Sequence, residues 1–555
     1  MKKNKGFTLI ELMGVIIIMG MLLVIVFPAT AKLINSNTDK KFNQYYDLIN
    51  DAASLYSKSR YDDLGGVNAN GCIDDITLTD LITEDYIKKF DDEDITCGSP
   101  SEFDLSQYEK IDSNKQYVDV RIRNTKGKIS TEVSLICVKK NKIAYSNLIE
   151  KSGSCDRYVA EAKNILFDEI SKLTSSSDDG ENYFLTDSNP NNYVLYSGKL
   201  FRIVSFNKNS KTIKLISNEI VTLLPYSSSS ANYNDSNIDI WLNQEFLLTL
   251  RNHDMYLLNA DWNYTTVTNA NMPQNTDVVK SKVGLLSYYE YNKSKNYLTT
   301  NYNWWLLSKA RDNSVWYARK SSTDAANISV NNFLGVRPSI VLKPNVTYIS
   351  GGNGTINNPY KLEGDTAANP GALLNTRYSG EYVMFAGAKY RIVKTNTEYT
   401  RLIAESVLSS VTTTFDDINV STYNSGSKIG KMLNEEWYNN LSNNDKSKLT
   451  SSDFCTTAFT STTKYTISCN NSDIVNIRVG IPKIGDMYTL PSASGEYWTL
   501  SNSGADTINT VSSNGEVIGR KINYVSGIRP VINLSNNVQI ASGNGTSSNP
   551  YTIKE

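Results

Sequence analysis

Five blocks of sequence in the C-terminal two-thirds of this chain recur once, in the same order and about 190 residues apart. They restrict what this part of the chain can fold into. "YVLYSGKLFRIV" (193–204) returns as "YVMFAGAKYRIV" (382–393), and "WLNQEF" (241–246) as "MLNEEW" (432–437). "WWLLS" (304–308) returns as "YWTLS" (497–501), and "GVRPSIVL" (335–342) as "GIRPVINL" (527–534). The strongest match is "GNGTINNPYKL" (352–362) with "GNGTSSNPYTI" (543–553). Units of a solenoid run to ~20–50 residues, so a period this long predicts two whole β-rich modules, at 182–364 and 372–555. Each opens on a hairpin pattern with alternating apolar residues, such as "YSGKLFRIVSF" followed by "KTIKLIS". One helix follows, with Ser236 or Ser427 as its N-cap and Ile238, Trp241, Leu242 and Phe246 as the apolar face of the first copy.

Several polar residues recur with the blocks: Arg202 and Arg391, Arg337 and Arg529, Asn243 and Asn434, and the acidic pair Glu290 and Asp486. One reading is a polar ligand pocket in each copy, with Trp304, Trp305, Arg337, Tyr497, Trp498 and Arg529 as its lining. The other is that the arginines hold carbonyls and a carboxylate in a loop-rich fold, the asparagines cap helices and the aromatics are core. Side chains of these kinds serve the fold more often than a ligand, and the second reading is preferred.

Composition removes several function classes. The formal net charge is −1, so the chain has no basic field and nucleic acid is not expected as a partner. His253 is the only histidine, which excludes a Ser/His/Asp or Cys/His nucleophile in both copies. No H-E-x-x-H, P-loop or dinucleotide glycine pattern is present, and no enzyme is expected. The six cysteines lie in three local pairs, Cys72 with Cys97, Cys137 with Cys155, and Cys455 with Cys469. Fifteen connectivities are open to six cysteines; sequential disulfides are the expectation, without zinc-site spacing. The acidic run Asp91, Asp92, Glu93, Asp94 offers calcium-ligand oxygens, but it lacks the alternating oxygen ligands of a known loop and reads as a solvated turn. No cofactor is expected.

The N-terminus begins "MKKNKGFTLIELMGVIIIMG", and residues 12–31 carry no charge, a length that crosses a bilayer. An ordinary secretory signal has its cleavage site after the apolar core. Here the small residue, Gly6, precedes the core, behind Lys2, Lys3 and Lys5. This run resembles the leader and N-terminal helix of type IV pilins and pseudopilins. The resemblance implies cleavage between Gly6 and Phe7 by a prepilin peptidase and N-methylation of Phe7. It implies that Pro28 bends the helix and that Glu11 pairs with the amino terminus of a neighbouring subunit. A carboxylate buried in a membrane costs ~2.5–3.5 kcal/mol on insertion scales. Pairing with an ammonium recovers much of that cost, so Glu11 would act as a filament-assembly residue.

Downstream, Phe42, Tyr46, Ile49, Ala53 and Tyr56 continue a helical pattern, predicting one long helix over 7–59. "CIDDITLTDLITEDYIKKF" reads as a short helix opening at Thr79 or Asp80, and "YVDVRIRN" and "KISTEVSLICVKK" as strands joined by the turn "TKGK". The expected fold is α+β: a leader at 1–6, a pilin-like domain with a small antiparallel-sheet head at 7–156, a helix and linker at 157–181, then the two modules. The modules resemble C-type-lectin-like or formylglycine-enzyme-like domains. The implied function is a minor, tip-located pilin subunit held in the plasma membrane before assembly and displayed outside the cell afterwards. Its modules would bind an extracellular glycan or protein. The alternative is a structural or priming pseudopilin of a pilus, a type II-like secretion filament or a DNA-uptake filament, whose modules contact only other subunits.

Overall fold

The computed structural model describes residues 38–59, 70–83, 86–88, 95–125, 128–151, 164–177, 179–362, 367–408, 411–417 and 421–554. They belong to two compact units that divide between Ala160 and Glu161. Gly6, Phe7, Glu11, Pro28, the apolar run 12–31 and the acidic run 91–94 lie outside the described residues.

In the first unit, the helix Thr38–Ser59 buries Phe42, Ile49, Ala52, Ala53 and Tyr56 along one face, with Tyr46 packed at its edge. That face shares a core with Val120, Ile122 and Val133 of an antiparallel sheet ordered Asn70–Ile76, Val120–Thr125, Lys128–Val133. The helix after Asn70–Ile76 is Leu78–Thr83, opened by Thr77 and Asp80, each accepting the other's backbone N–H through its side chain.

Leu135–Lys139 does not prolong the preceding strand. It joins a second sheet ordered Thr96–Gly98, Leu135–Lys139, Lys142–Asn147. This register sets Cys97 directly opposite Cys137, and the two form a disulfide. Pairing of Cys72 with Cys97 and of Cys137 with Cys155 is thereby corrected. Partners 40 residues apart in sequence meet because their strands are neighbours in the sheet. Cys155 and the side chain of Cys72 lie outside the described residues.

The expectation of an α+β fold led by one long helix is also corrected. Apart from Thr38–Ser59, with 22 residues, the described α-helices have 7 residues or fewer, and strands dominate. The apolar spacing elsewhere is predominantly two rather than 3.6, and Gly- and Asn-rich turns interrupt it every few residues. Among the described residues no helix is long and apolar enough to cross a membrane.

The second unit holds one pattern of strands in each half. The first half has a sheet whose path runs Val283–Gly284, Ser339–Leu342, Thr212–Ser217, Lys199–Asn207, Tyr193–Tyr196. The second half has Val479–Gly480, Val531–Ser535, Tyr399–Ala404, Ala388–Thr395, Tyr382–Phe385 in the same order. A second sheet runs Thr222–Pro225, Phe333–Val336, Trp304–Arg311, Ser314–Ala318, Ala325–Ser329. Its counterpart runs Thr412–Thr413, Ser526–Gly527, Tyr497–Gly504, Thr507–Val511, Val517–Lys521. The helices begin where expected, with Ser236 accepting from Asp239 N and Ser427 from Gly430 N. The Gly-Asn-Gly-Thr turns need their second glycine, since Gly354 and Gly545 have φ of +73° and +76°. A Cβ would lie 2.3 Å from the Asn191 carbonyl oxygen at Gly354 and 2.6 Å from the Tyr551 ring at Gly545.

The segment read as helix and linker is built into this unit from residue 164 onward. Asn164–Ile165 pairs with Thr347–Ile349, Leu166 and Ile170 are buried, and Ser175–Ser177 pairs with Asn182–Leu185. The two halves are bonded to each other and share one apolar core. Trp241 Nε1 donates to Gly485 O at 2.7 Å, Tyr488 N to Val221 O at 2.7 Å, and Lys199 Nζ to Ser379 O at 2.8 Å. Asn237 exchanges two bonds with the opposite half, donating to Thr463 O at 3.1 Å and accepting from Tyr465 N at 2.8 Å.

Candidate functional site

The aromatic residues proposed as pocket lining are core. Trp304, Trp305, Tyr497 and Trp498 are fully buried, and none lines a described cleft. Trp305 Nε1 donates to Leu224 O and Trp498 Nε1 to Thr413 O, both at 2.9 Å, which ties each half's second sheet across its own strands. Trp304 lies under the Arg337 guanidinium, 4.9 Å from ring centroid to Cζ, and Tyr497 lies under Arg529 at 5.3 Å.

The arginines have a different fate. Arg202, Arg337, Arg391 and Arg529 all line one cleft of about 610 Å³ between the halves of the second unit. The less favoured of the two readings places a pocket in each copy; the structure brings both copies' arginines to one cleft. Corresponding segments build its two walls. The first half contributes residues 218–220 and 297–302, and the second half contributes residues 405–406 and 488–494.

Each arginine is fixed by its neighbours. Arg337, 1% exposed, donates to Ser217 O at 2.7 Å, Leu298 O at 2.6 Å and Asn218 O at 3.1 Å. Arg529 does the same in its own half, donating to Ala404 O at 2.6 Å and Leu490 O at 3.0 Å. Arg202 donates from Nε to Asn192 Oδ1 at 2.6 Å and from Nη1 to Tyr193 Oη at 2.8 Å, and its Cζ stands 4.0 Å from the centre of the Tyr193 ring. Arg391 donates from Nε to Gly380 O at 3.0 Å and stacks on Tyr488 at 3.7 Å. So far the carbonyl-holding reading is what the geometry displays.

Charge balance separates the four. Arg391 forms an ion pair, from Nη2, with Glu219 of the opposite half. Burial works against its guanidinium, but Glu219 raises its pKa further above the ordinary value. Arg202, Arg337 and Arg529 have no carboxylate partner among the described residues. Arg202 is 5% exposed, and its Nη2 is buried without a hydrogen-bond partner. Burial pushes Arg337 down to about 9, and the neighbouring charge of Arg202 adds to the effect. Buried charges are ordinarily paired, because an ion stripped of water and left alone costs several kcal/mol. Glu405 also lines the cleft and pairs with neither Arg202 nor Arg337.

The remaining recurring residues lie elsewhere. Asn243 and Asn434 each clamp a strand, accepting from Val283 N at 3.2 Å and Val479 N at 3.1 Å, and donating to the same residues' carbonyls at 3.1 and 2.9 Å. Glu290 caps a helix with Ser287 and pairs with Lys214, while Asp486 accepts from Lys483 N. The structure does not bring Glu290 and Asp486 together. Cys455 and Cys469 form the expected disulfide. Among the described residues no group of His, Cys, Asp and Glu is arranged to hold a metal ion. Sequence reading missed Glu219, Tyr193, Tyr297 and Tyr488. The tyrosines had a faint signal, since Tyr193 starts a repeated block and Tyr297 and Tyr488 are spaced like the blocks.

Residues 1–27 match the prokaryotic N-terminal methylation motif. The chain thus has a type IV pilin-like N-terminus, the mark of a protein that is anchored in the membrane and then displayed at the surface in association with pilins. Residues 210–344 match a domain of unknown function, DUF6273, which covers most of the first half of the second unit. No curated protein matches the chain. No solved structure matches it.

Proposed function

We propose that this chain is a minor, tip-located subunit of a type IV pilus-like filament, and that its second unit binds an extracellular ligand. The observation that carries the binding half of this reading is the cleft, where three buried arginines lack a carboxylate partner among the described residues. The methylation motif supports the assembly half. The correspondence of strand order and arginine contacts supports a duplicated module, with the ligand site formed where the copies meet. Position at a tip follows from bulk. A subunit packed on all sides within a filament has no room for a second unit of this size, whereas a subunit at the end has no neighbour beyond it.

Shearing filaments from cells and probing them with an antibody to residues 182–555 tests this. The wild type is expected at filament ends. Gly6→Ala, whose leader is expected to cleave poorly, and Glu11→Val, which removes the carboxylate proposed to pair, are expected to leave the protein with the cells. A protein that never enters the sheared fraction overturns the filament reading. Capture of filament subunits alone, with no binding of filaments to glycan or matrix surfaces, favours a priming or structural pseudopilin.

A further inference from the structure

We propose that the cleft between the halves takes an acidic saccharide, whose carboxylate or sulfate sits beside Arg202 as Glu219 sits beside Arg391. This rests on the reading of the second unit as a ligand-binding one, and it names the ligand's chemistry. The argument comes from comparing the two walls. Arg202 and Arg391 occupy the same place in the repeated block ending "YRIV" or "FRIV", and each donates from Nε to a fixed acceptor. At Arg391 the next donor, Nη2, meets the Glu219 carboxylate. At Arg202 the same atom has no partner among the described residues.

The reason lies one strand away. "KLISNEI" (214–220) corresponds to "RLIAESV" (401–407), so Glu219 has Ser406 as its counterpart. Ser217 and Ala404 fix this alignment independently, because their carbonyls accept the Nε–H groups of Arg337 and Arg529. Ser406 is exposed and lines the same cleft as the first half's arginines. One wall thus carries the carboxylate that satisfies an arginine of the other half, while the counterpart position on the other wall holds a serine, which has no charge to offer. A planar guanidinium with a free donor is suited to a carboxylate or sulfate.

The rest of the cleft favours a sugar as the carrier of that anion. Around the arginines stand Thr300, Asn301, Ser492 and Ser494, which offer hydroxyl and amide groups, and the half-buried ring of Tyr302. Small-molecule sites run to ~300–1,000 Å³, and about 610 Å³ falls within that range while leaving no space for a folded partner. Glu405 opposes an anion and so limits where the ligand's charge can lie.

The test uses the full-length chain purified in detergent micelles and titrated calorimetrically with 3′-sialyllactose, a sulfated disaccharide, lactose, sodium sulfate and an acidic hexapeptide. One of the two acidic sugars is expected to bind, more weakly as salt rises, while lactose does not. The preferred sugar tells carboxylate from sulfate. Ser406→Glu supplies the missing carboxylate at an exposed position; it is expected to lower affinity at least tenfold and to raise the melting temperature. Glu405→Gln is expected to strengthen binding. Equal binding of lactose, sulfate binding as tightly as the sugar, tighter binding of the peptide, no binding at all, or unchanged affinity in Ser406→Glu each overturns the proposal. Filament entry and adhesion are read separately by shearing and surface binding. A chain that reaches filaments and holds cells to a surface but binds no acidic sugar defeats this inference alone.

Discussion

Glu245 shows how the junction between the halves uses an ionisable side chain. It lies in the π-helical stretch Leu242–Phe246, and its Oε1 accepts from Tyr465 Oη of the other half at 3.4 Å. Burial raises its pKa and the charge of Asp486 adds to that, against the opposing pull of Lys394 and Lys483. A carboxyl whose pKa is raised by folding binds its proton more tightly in the native state than in the unfolded chain. Its contribution to stability is therefore present at low pH and is lost as pH climbs from the ordinary 4.5 through the raised value. Glu245→Gln keeps the acceptor and removes the charge. The variant is expected to be more stable than the wild type at pH 7, with the gap closing as pH falls towards 4.5, read by urea unfolding across that range.

Single elements explain what the sequence could and could not disclose. The helix Thr38–Ser59 was legible because its apolar face repeats with the helical period, and the N-caps Ser236 and Ser427 were legible because a cap is a local signal. The bond between Cys97 and Cys137 was not legible, since it depends on which strands become neighbours. The clamp roles of Asn243 and Asn434 were hidden for the same reason. Each sits in a π-helical stretch, Leu242–Phe246 or Met432–Trp437, that turns its amide onto a strand 40 or 45 residues later. The recurrence of the arginines was visible, but their meeting in one cleft depends on how the halves dock. Asn243→Ala leaves Val283 N–H and C=O without those bonds, and ~1–3 kcal/mol of stability is expected to be lost. Asn434→Ala is expected to cost a similar amount; both losses are measurable by chemical denaturation.

Across the second unit the sharing of one core makes a claim about cooperativity. Trp241, Tyr488, Lys199 and Asn237 each bond across the junction, and the first half's buried residues are continuous with the second's. Hydrogen exchange under increasing denaturant is expected to release the amides of Lys199–Asn207 and Ala388–Thr395 in the same step. Separate release would mean that the halves fold as independent domains. The ion pair of Arg391 with Glu219 has one more consequence. Had this cleft formed between two copies of a single-module chain related by a two-fold axis, every contact would occur twice. Both walls would then carry the carboxylate and neutralise both arginines, or neither would. Joining the modules in one polypeptide frees the site from that symmetry, so one wall can be sealed by the protein itself while the other is left for a guest.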